Sequence, residues 1–428
     1  MQVDRSAGYA GAFGDGVVLG YLLPLIALTL PAGRWLDRTG PRAALLFGIG
    51  GFTLSSLAAG TASALGWLVA ARVAQGGFAG ILFALIPVIA MRAVRPGMAG
   101  RASALIMTLG PLGAVSGPAL GGLIVGAWGW PWIFYLNLPI GALVIVIALV
   151  QMRPDGPLGA PDRTLLSETA VLGVAAAALL LGLSLSAGHG LPWLALTATA
   201  GFPVAIWWRS ASSRAVRALT RTPGVAAPVS QVLLNAVTIS LVEFMASFYL
   251  QRVLGVSAAT AGTTVLALAV GNVVSGPVGG FLADRWNAPG VAWTGILITT
   301  VGASLLVPLG TGRHPVDVGW RLAIVGIGTG VFAGPNFAMV MSNAPGALHG
   351  TAGAAQSLAR QLGFSLGPAL ATTAWALSGY RLGGMRAGMA IAAGCGLIGL
   401  FLRARTRPLP AAPDVESTGA VDTDAPMP

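Results

Sequence analysis

Glu243 is the acidic residue that lies deepest in an apolar stretch of this 428-residue chain. A carboxyl group inside a bilayer can bind a proton or a cationic ligand. At about 100° per residue, Ser240, Glu243 and Ser247 share one helical sector, and Asn235 lies near it. The pattern predicts a proton or cation site, and the alternative is a neutral carboxyl hydrogen-bonded to its serines.

Two arginines also fall inside apolar stretches. Arg72, Gln75 and Gly76 share a helical face at positions i, i+3 and i+4. An arginine in mid-membrane is costly, so Arg72 is expected to face a polar interior with a partner, or to bind backbone carbonyls. Arg360 precedes Gly363 and forms either a second polar site or an arginine that reaches the helix end.

A charged turn occurs twice. The first copy is Gly33-Arg34-Trp35-Leu36-Asp37-Arg38-Thr39-Gly40-Pro41-Arg42, and the second is Gly280-Phe281-Leu282-Ala283-Asp284-Arg285. We expect Gly33 to allow a tight helix end, Gly40 to adopt positive φ, and Asp37 to pair with arginines or cap the following helix. A repeated turn in two halves of a membrane protein indicates a transporter built from duplicated bundles and a turn that switches with conformation. A basic loop that only sets topology is the alternative.

A glycine-rich helix is predicted between the third and fourth loops. Its glycines and prolines line one side, which suits a bent helix packed closely on a neighbour. Packing and gating roles both remain open. The residues are Gly110, Pro111, Gly113, Gly117, Pro118, Gly121 and Gly122.

Other chemistries are disfavoured. Cys395 is the single cysteine, and the three histidines are far apart, so neither a metal site nor a cofactor is expected. The chain contains no phosphate-binding loop motif, which argues against ATP-driven transport. Scattered polar groups also argue against an enzyme. The basic residues lie singly or in small groups between apolar spans, so nucleic-acid binding is not expected.

Composition places the chain in a bilayer. Charged residues make up 9% of it, against about 25% in soluble domains. A span needs roughly 20 apolar residues. Candidate spans cover 16–33, 41–61, 65–91, 102–127, 131–151, 167–187, 191–208, 225–250, 258–283, 290–310, 318–342, 353–377 and 384–402.

The arginines predict the topology. Sixteen lie in the odd-numbered loops and the C-terminal tail, and five lie in the other loops between spans. This bias predicts cytoplasmic loops at 34–42, 92–101 and 209–224 and a cytoplasmic C-terminus.

These residues resemble the major facilitator superfamily, and within it the fourteen-helix drug/proton antiporters. The resemblance rests on the turn 33–42, the run Arg72–Gly76, the glycines of Gly113–Gly122, the stretch Trp130–Gly141, and Tyr249–Gly255 followed by Ala261-Gly262. It implies export of hydrophobic or amphipathic compounds in exchange for protons by alternating access, with Arg72 in proton coupling.

The resemblance fails at the start, where family members carry a further helix that ends in a pattern like Leu-Asp-x-Thr-Ile-Val-Asn-Val-Ala-Leu-Pro. The second half also has an additional helix before its charged turn. We therefore expect 1–151 to form a first bundle lacking one helix, 152–224 a linker and inserted helix pair, and 225–402 a second bundle. The tail 403–428 is expected to be disordered.

The sequence thus predicts an all-α, polytopic integral membrane protein with two pseudo-symmetric bundles and about thirteen spans. It is expected to be a monomeric plasma-membrane exporter that binds small molecules and protons. Glu243 and Arg72 are the coupling candidates, with Gln75, Arg360 and Asn235. Two alternatives remain open: an exporter of an endogenous metabolite, and a transport-inactive membrane protein with a scaffold or sensing role.

Overall fold

The computed structural model describes residues 3–93, 124, 127–154, 156, 158–160, 162–378 and 381–402. The described chain is built from α-helices and short turns. Its helices are apolar on most faces, as expected of segments that satisfy their backbone hydrogen bonds internally within a bilayer. Ten of the described helical segments are long and apolar enough to cross a membrane. The chain is therefore a multi-pass membrane protein.

The described part of the first bundle contains five helices. They are α1 (Val3–Leu36), α2 (Pro41–Gly60), α3 (Leu65–Ala93), α4 (Trp132–Tyr135) and α5 (Asn137–Gln151). Helix α3 packs on α1 and α2, and α5 packs on α2. The glycines of α3 bring it close to α1: a Cβ at Gly80 would lie 2.9 Å from the carbonyl oxygen of Leu25.

The inserted pair lies between the bundles in sequence. It comprises α6 (Arg163–His189), α7 (Leu194–Thr199) and α8 (Gly201–Arg209), followed by the short basic helix α9 (Arg214–Arg221). Asp162 caps α6 by accepting a 2.7 Å hydrogen bond from the Leu165 amide. The span expected at 191–208 is built from a 3₁₀ turn, α7 and α8, with a break at Ala200. Helix α6 packs against α1 and also touches α14 of the second bundle.

The second bundle comprises α10 (Ala226–Phe248), α11 (Ala258–Arg285), α12 (Ala288–Leu306), α13 (Pro315–Asn343), α14 (His349–Leu377) and α15 (Leu382–Phe401). A π-helical turn at Tyr249–Val253 extends α10. All six helices, α10 to α15, contribute to the main core of this bundle, which contains fully buried residues such as Met245, Leu322 and Ala392.

The two bundles meet along α14. Helices α1 and α3 of the first bundle both pack on it. Ala354 of α14 is fully buried in a cluster with Leu30, Leu36, Ala84 and Val88. Helix α14 is thus the element of the second bundle that the described part of the first bundle touches most closely.

Candidate transport site and bundle contact

Asp37 joins the two bundles. It lies in the turn between α1 and α2, and its Oδ1 accepts a 2.6 Å hydrogen bond from the Gly350 amide. Its Oδ2 accepts hydrogen bonds from the Thr351 amide at 3.2 Å and the Thr351 hydroxyl at 2.5 Å. Asp37 therefore caps the first turn of α14, where backbone N–H groups lack intrahelical partners and the helix dipole favours an anion.

Burial and hydrogen bonding act on this carboxyl in opposite directions. Burial raises the pKa of Asp37 above its ordinary value, while the hydrogen bonds from Thr351 and Gly350 and the charge of His349 lower it. Burial is the larger effect, so the net pKa is raised. The contact thus favours a protonated Asp37 more strongly than an open, hydrated turn does.

Two glycines allow this contact. A Cβ at Gly33 would lie 2.6 Å from the Gly350 carbonyl oxygen and would overlap the Ala354 side chain. A Cβ at Gly350 would lie 2.5 Å from both the Gly33 carbonyl oxygen and Asp37 Oδ1. Helices α1 and α14 therefore cross with backbone against backbone at the end of α1.

The structure corrects three expectations for this turn. Gly33 lies inside α1, which ends at Leu36, so its smallness serves the crossing with α14. Gly40 precedes α2 with φ −61°, so it does not use positive φ. Asp37 caps α14 of the opposite bundle, whereas α2 begins at Pro41 and its N-cap residue, Gly40, provides no side-chain cap.

The arginines of the turn contact other parts of the first bundle and the linker. Arg42 donates a 3.2 Å hydrogen bond to the Leu149 carbonyl at the end of α5. Arg38 is exposed and lies 4.0 Å from Asp162, which is itself half exposed. The hydrogen bond that the Leu165 backbone amide donates to Asp162 holds the pKa of this carboxyl below its ordinary value.

The second copy of the turn is placed differently. Asp284 and Arg285 are exposed in the last turn of α11, and Gly280 is buried one turn earlier. Asn287, not a residue of the motif, caps α12 by accepting a 2.6 Å hydrogen bond from the Gly290 amide. The predicted switching role of this copy stays a prediction.

Arg72 and Gln75 lie together in a polar network within the first bundle, as the spacing predicts. Arg72 Nη1 donates a 2.6 Å hydrogen bond to Gln75 Oε1, and Arg72 Nε donates to the Val17 carbonyl at 3.3 Å. Gln75 Nε2 in turn donates to Ser56 Oγ at 2.6 Å. Gln75 and Ser56 are almost completely buried. The arginine is thus held by α1 and by its own helix, and the chain of hydrogen bonds continues to α2.

The network includes residues that the sequence analysis did not single out. The Arg72 guanidinium lies 4.2 Å from the Tyr21 ring centroid and 5.7 Å from that of Phe134. Asn137 Nδ2 donates a 3.2 Å hydrogen bond to Ser56 Oγ. Phe134 and Asn137 belong to the stretch that resembles the antiporters, so a sequence signal for them existed. Tyr21 and Ser56 had none, because isolated tyrosines and serines are common in apolar helices.

Glu243 lies on the exposed side of α10, within the candidate span Ala226–Val253. The expected hydrogen bonds from its serines are absent. The Ser240 hydroxyl donates to the carbonyls of Ala236 and Gly363, and that of Ser247 donates to the Glu243 backbone carbonyl. Neither serine hydroxyl therefore donates to the Glu243 carboxyl group. The proton site at Glu243 stays a prediction.

The other two polar candidates lie apart from Glu243. Asn235 is buried in the second bundle, two turns away on α10. Arg360 is half-buried on α14, one turn before Gly363. A Cβ at Gly363 would lie 2.7 Å from the Leu233 carbonyl oxygen, so this part of α14 packs tightly on α10. The roles of Asn235 and Arg360 stay predictions.

Glu168 is an acidic residue that the sequence analysis missed. It was placed at the edge of the span 167–187, but it is 4% exposed and forms an ion pair with Arg34 at 2.6 Å. The missing signal was its partner, which lies 134 residues away in the chain. The glycine-rich helix with Gly113, Gly117, Pro118, Gly121 and Gly122 lies outside the described residues, as does the tail 403–428.

Comparison with known proteins agrees with this architecture. Residues 5–368 match the family model of the Major Facilitator Superfamily. The chain is 30% identical over 387 residues to the tetracenomycin C resistance and export protein of Streptomyces glaucescens, covering 86% of this chain and 70% of that protein. It is also 30% identical over 374 residues to a multidrug resistance protein B homolog of Mycobacterium tuberculosis, covering 82% and 67%.

Solved structures share the fold. A proton:xylose symporter superposes with a TM-score of 0.67 at 15% identity, over 94% of this chain and 87% of that one. The human organic anion transporter MFSD10 gives a TM-score of 0.64 at 17% identity, over 93% and 88%.

Proposed function

Because the chain belongs to the Major Facilitator Superfamily, we propose that it exports hydrophobic or amphipathic compounds in exchange for protons by alternating access. The names of its relatives support the substrate class, since two of them are named for drug resistance, one of these also for export. We place the protein in the plasma membrane with the α1–α2 turn on the cytoplasmic side, in keeping with the arginine bias.

The observation that carries the proposal is the cap that Asp37 forms on α14. Three hydrogen bonds and a backbone crossing at Gly33 and Gly350 hold the bundles together at one end. These contacts are discrete and can break as a unit. The arrangement is what a two-state closure of the cytoplasmic side requires, because packed interfaces switch between alternatives and do not deform continuously.

The polar groups divide into two candidate coupling sites. Arg72 is fixed by Gln75, Tyr21 and a backbone carbonyl in the first bundle. Glu243 lies on the second bundle, where a carboxylate can exchange a proton. We assign proton exchange to Glu243 and an electrostatic role to Arg72, because an arginine stays charged across the working pH range.

The test is flux in proteoliposomes that contain the purified chain and a fluorescent hydrophobic cation such as ethidium, with related neutral compounds as a panel. An imposed pH gradient is expected to drive uphill movement of at least one compound, and a protonophore is expected to abolish it. Binding without gradient-driven flux for the whole panel would contradict the proposal and favour a scaffold or sensing role. Flux of polar metabolites alone would contradict the substrate class.

A further inference from the structure

The last turn of α1 is held from a second side by the inserted pair. Arg34 lies three residues before Asp37, and its guanidinium makes a bidentate contact with the carboxylate of Glu168 on α6. Arg34 Nη2 lies 2.6 Å from Glu168 Oε2, and Nη1 donates a 3.1 Å hydrogen bond to Oε1. Such bidentate pairs fix orientation as well as distance. The end of α1 that carries Asp37 is therefore also bound to α6.

The same contact includes the rest of the inserted pair. Trp207, in the last turn of α8, donates a 3.0 Å hydrogen bond from Nε1 to Glu168 Oε1. Arg34 Nη1 also donates to the Ser212 carbonyl at 2.7 Å, in the turn after α8. Beside this group, Trp35 Nε1 donates to the Gly159 carbonyl at 2.8 Å. Arg34 thus joins α6 and the turn after α8 to α1.

The pair contacts α14 in a different way. Leu358 of α14 packs beside apolar side chains of α1, α3 and α6, and Leu362 packs on a cluster that contains Ala176 and Leu180 of α6. Apolar surfaces can shift against one another without leaving a charge unpaired. Separating Arg34 from Glu168 would leave a carboxylate of 4% exposure without its cation, which is strongly unfavourable.

From this asymmetry we propose that the inserted pair moves as one body with α1 and slides on α14 during transport, and that Glu168 is the positioning residue that fixes it to α1. The inference rests on the proposed function, because it requires the bundles to move relative to each other. In this arrangement α6 supports the end of α1, so that Asp37 returns to the first turn of α14 in one register.

A disulfide between α1 and α6 tests the rigid attachment. A Cβ at Gly173 would lie 3.5 Å from the Ala27 Cβ, which is within disulfide range. In a Cys395→Ser background, the Ala27→Cys/Gly173→Cys protein is oxidised with copper phenanthroline, and bond formation is followed by loss of maleimide labelling. We expect the oxidised protein to keep at least half the flux of the reduced protein. A tenfold or greater loss on oxidation, reversed by dithiothreitol, would overturn the proposal.

A second cysteine pair separates this inference from the proposed function. A Cβ at Gly353 of α14 would lie 2.6 Å from the Pro87 Cβ of α3. This is shorter than the Cβ–Cβ separation of a disulfide, about 3.5–4.5 Å, so the two helices must separate by about 1 Å for Pro87→Cys/Gly353→Cys to bridge the bundles. Loss of maleimide labelling verifies that the bond has formed before flux is measured. Oxidation of this pair is expected to stop flux. If flux continued, bundle motion itself would be refuted, and the inference would fall with it. If both bridges stopped flux, alternating access would stand and the rigid attachment would be wrong.

The role of Glu168 is tested by the rate at which the Ala27/Gly173 disulfide forms. Glu168→Gln is expected to slow it at least threefold, because α6 is no longer held in register. The double variant Arg34→Gln/Glu168→Gln, which leaves no unpaired charge, is expected to slow it similarly even if the single variant folds poorly. Asp162→Asn, at the exposed pair with Arg38, is the matched control and is expected to leave the rate unchanged. An unchanged rate in the double variant would overturn the role of Glu168.

Discussion

Asp37 shows how one side chain can make a contact between bundles respond to pH. Its pKa is raised in the closed contact, mainly by burial. A carboxyl with a raised pKa binds its proton more tightly in the closed form than in an open, hydrated form. Protonation therefore favours closure, and closure weakens as pH rises from the ordinary pKa of about 3.9 through the raised value.

We therefore expect Asp37→Asn to remove a pH dependence of closure. In a Cys395→Ser background, Val88→Cys reports opening, because Val88 is 8% exposed in the cluster between α1, α3 and α14. Thiol reactivity toward maleimide itself rises with pH, so the labelling of Val88→Cys is divided by that of the exposed Ala211→Cys at the same pH. This ratio should rise as pH is raised through the window with Asp37 present, and should stay flat in Asp37→Asn. An equal pH response in both proteins would show that a group other than Asp37 sets it.

Arg72 is expected to be intolerant of lysine. A lysine cannot hold Gln75 Oε1, the Val17 carbonyl and the Tyr21 ring at once, because its donors radiate from one atom. Losing a hydrogen bond from a charged group costs about 1.5–3 kcal/mol, so Arg72→Lys should lower flux about tenfold or more at unchanged membrane expression. Tyr21→Phe keeps the ring and is the control. Flux in Arg72→Lys equal to that of the parent would make the arginine structural.

The sequence placed its candidate residues on helices and turns but gave few of their partners. Arg72 and Gln75 were paired correctly because they lie three residues apart on one helix. Asp37 was expected to pair with arginines or to cap the following helix. Its partner is instead Gly350, which lies 313 residues away in the chain and could not be found from local sequence. Glu168 escaped notice because a glutamate near a span edge is ordinary until its distant arginine is known.

At the scale of helices, hydropathy was sufficient for the positions of most described spans, since long apolar runs in a bilayer have one stable form. Helix crossings were not predictable in the same way. Gly33 was interpreted as a helix end, but it lies within α1 and allows α14 to approach. The break between α7 and α8 at Ala200 also escaped detection, although Gly201 and Pro203 directly follow it and proline is common in the first turn of a helix.

Gly33→Ala is expected to open the contact between α1 and α14. Its Cβ would meet the Gly350 carbonyl oxygen at 2.6 Å, and overpacking of this kind costs about 1–3 kcal/mol. Each 1.4 kcal/mol is tenfold in an equilibrium, so Val88→Cys labelling should rise about five- to a hundredfold. Gly50→Ala is the matched control on α2, because nothing lies within 4 Å of its added Cβ. Similar labelling in both variants would mean that the crossing adapts to a methyl group.

For the molecule as a whole, orientation is the first property to test. The arginine bias predicts that the turn after α8 faces the cytoplasm and that the loop between α12 and α13 faces outward. In a Cys395→Ser background, Ala211→Cys and Thr311→Cys, both at exposed positions, should label from opposite sides with a membrane-impermeant maleimide. Labelling from one side would require a different number of spans between them.

Proton coupling, as proposed, would be a property of the whole transporter, because it would link a carboxylate in one bundle to the position of both. Glu243 lies on the exposed side of α10, and the hydroxyls of Ser240 and Ser247 serve backbone carbonyls instead of its carboxylate. A group placed in this way can change protonation as its surroundings open and close.

Glutamine keeps the size of Glu243 but cannot exchange a proton. We expect Glu243→Gln to abolish uphill flux driven by a pH gradient while leaving downhill exchange of the same compound. Asp317→Asn, at the exposed start of α13, should leave both activities intact. Gradient-driven flux retained by Glu243→Gln across the pH range would make this carboxylate structural and move the coupling site to Asp37 or the Arg72 network.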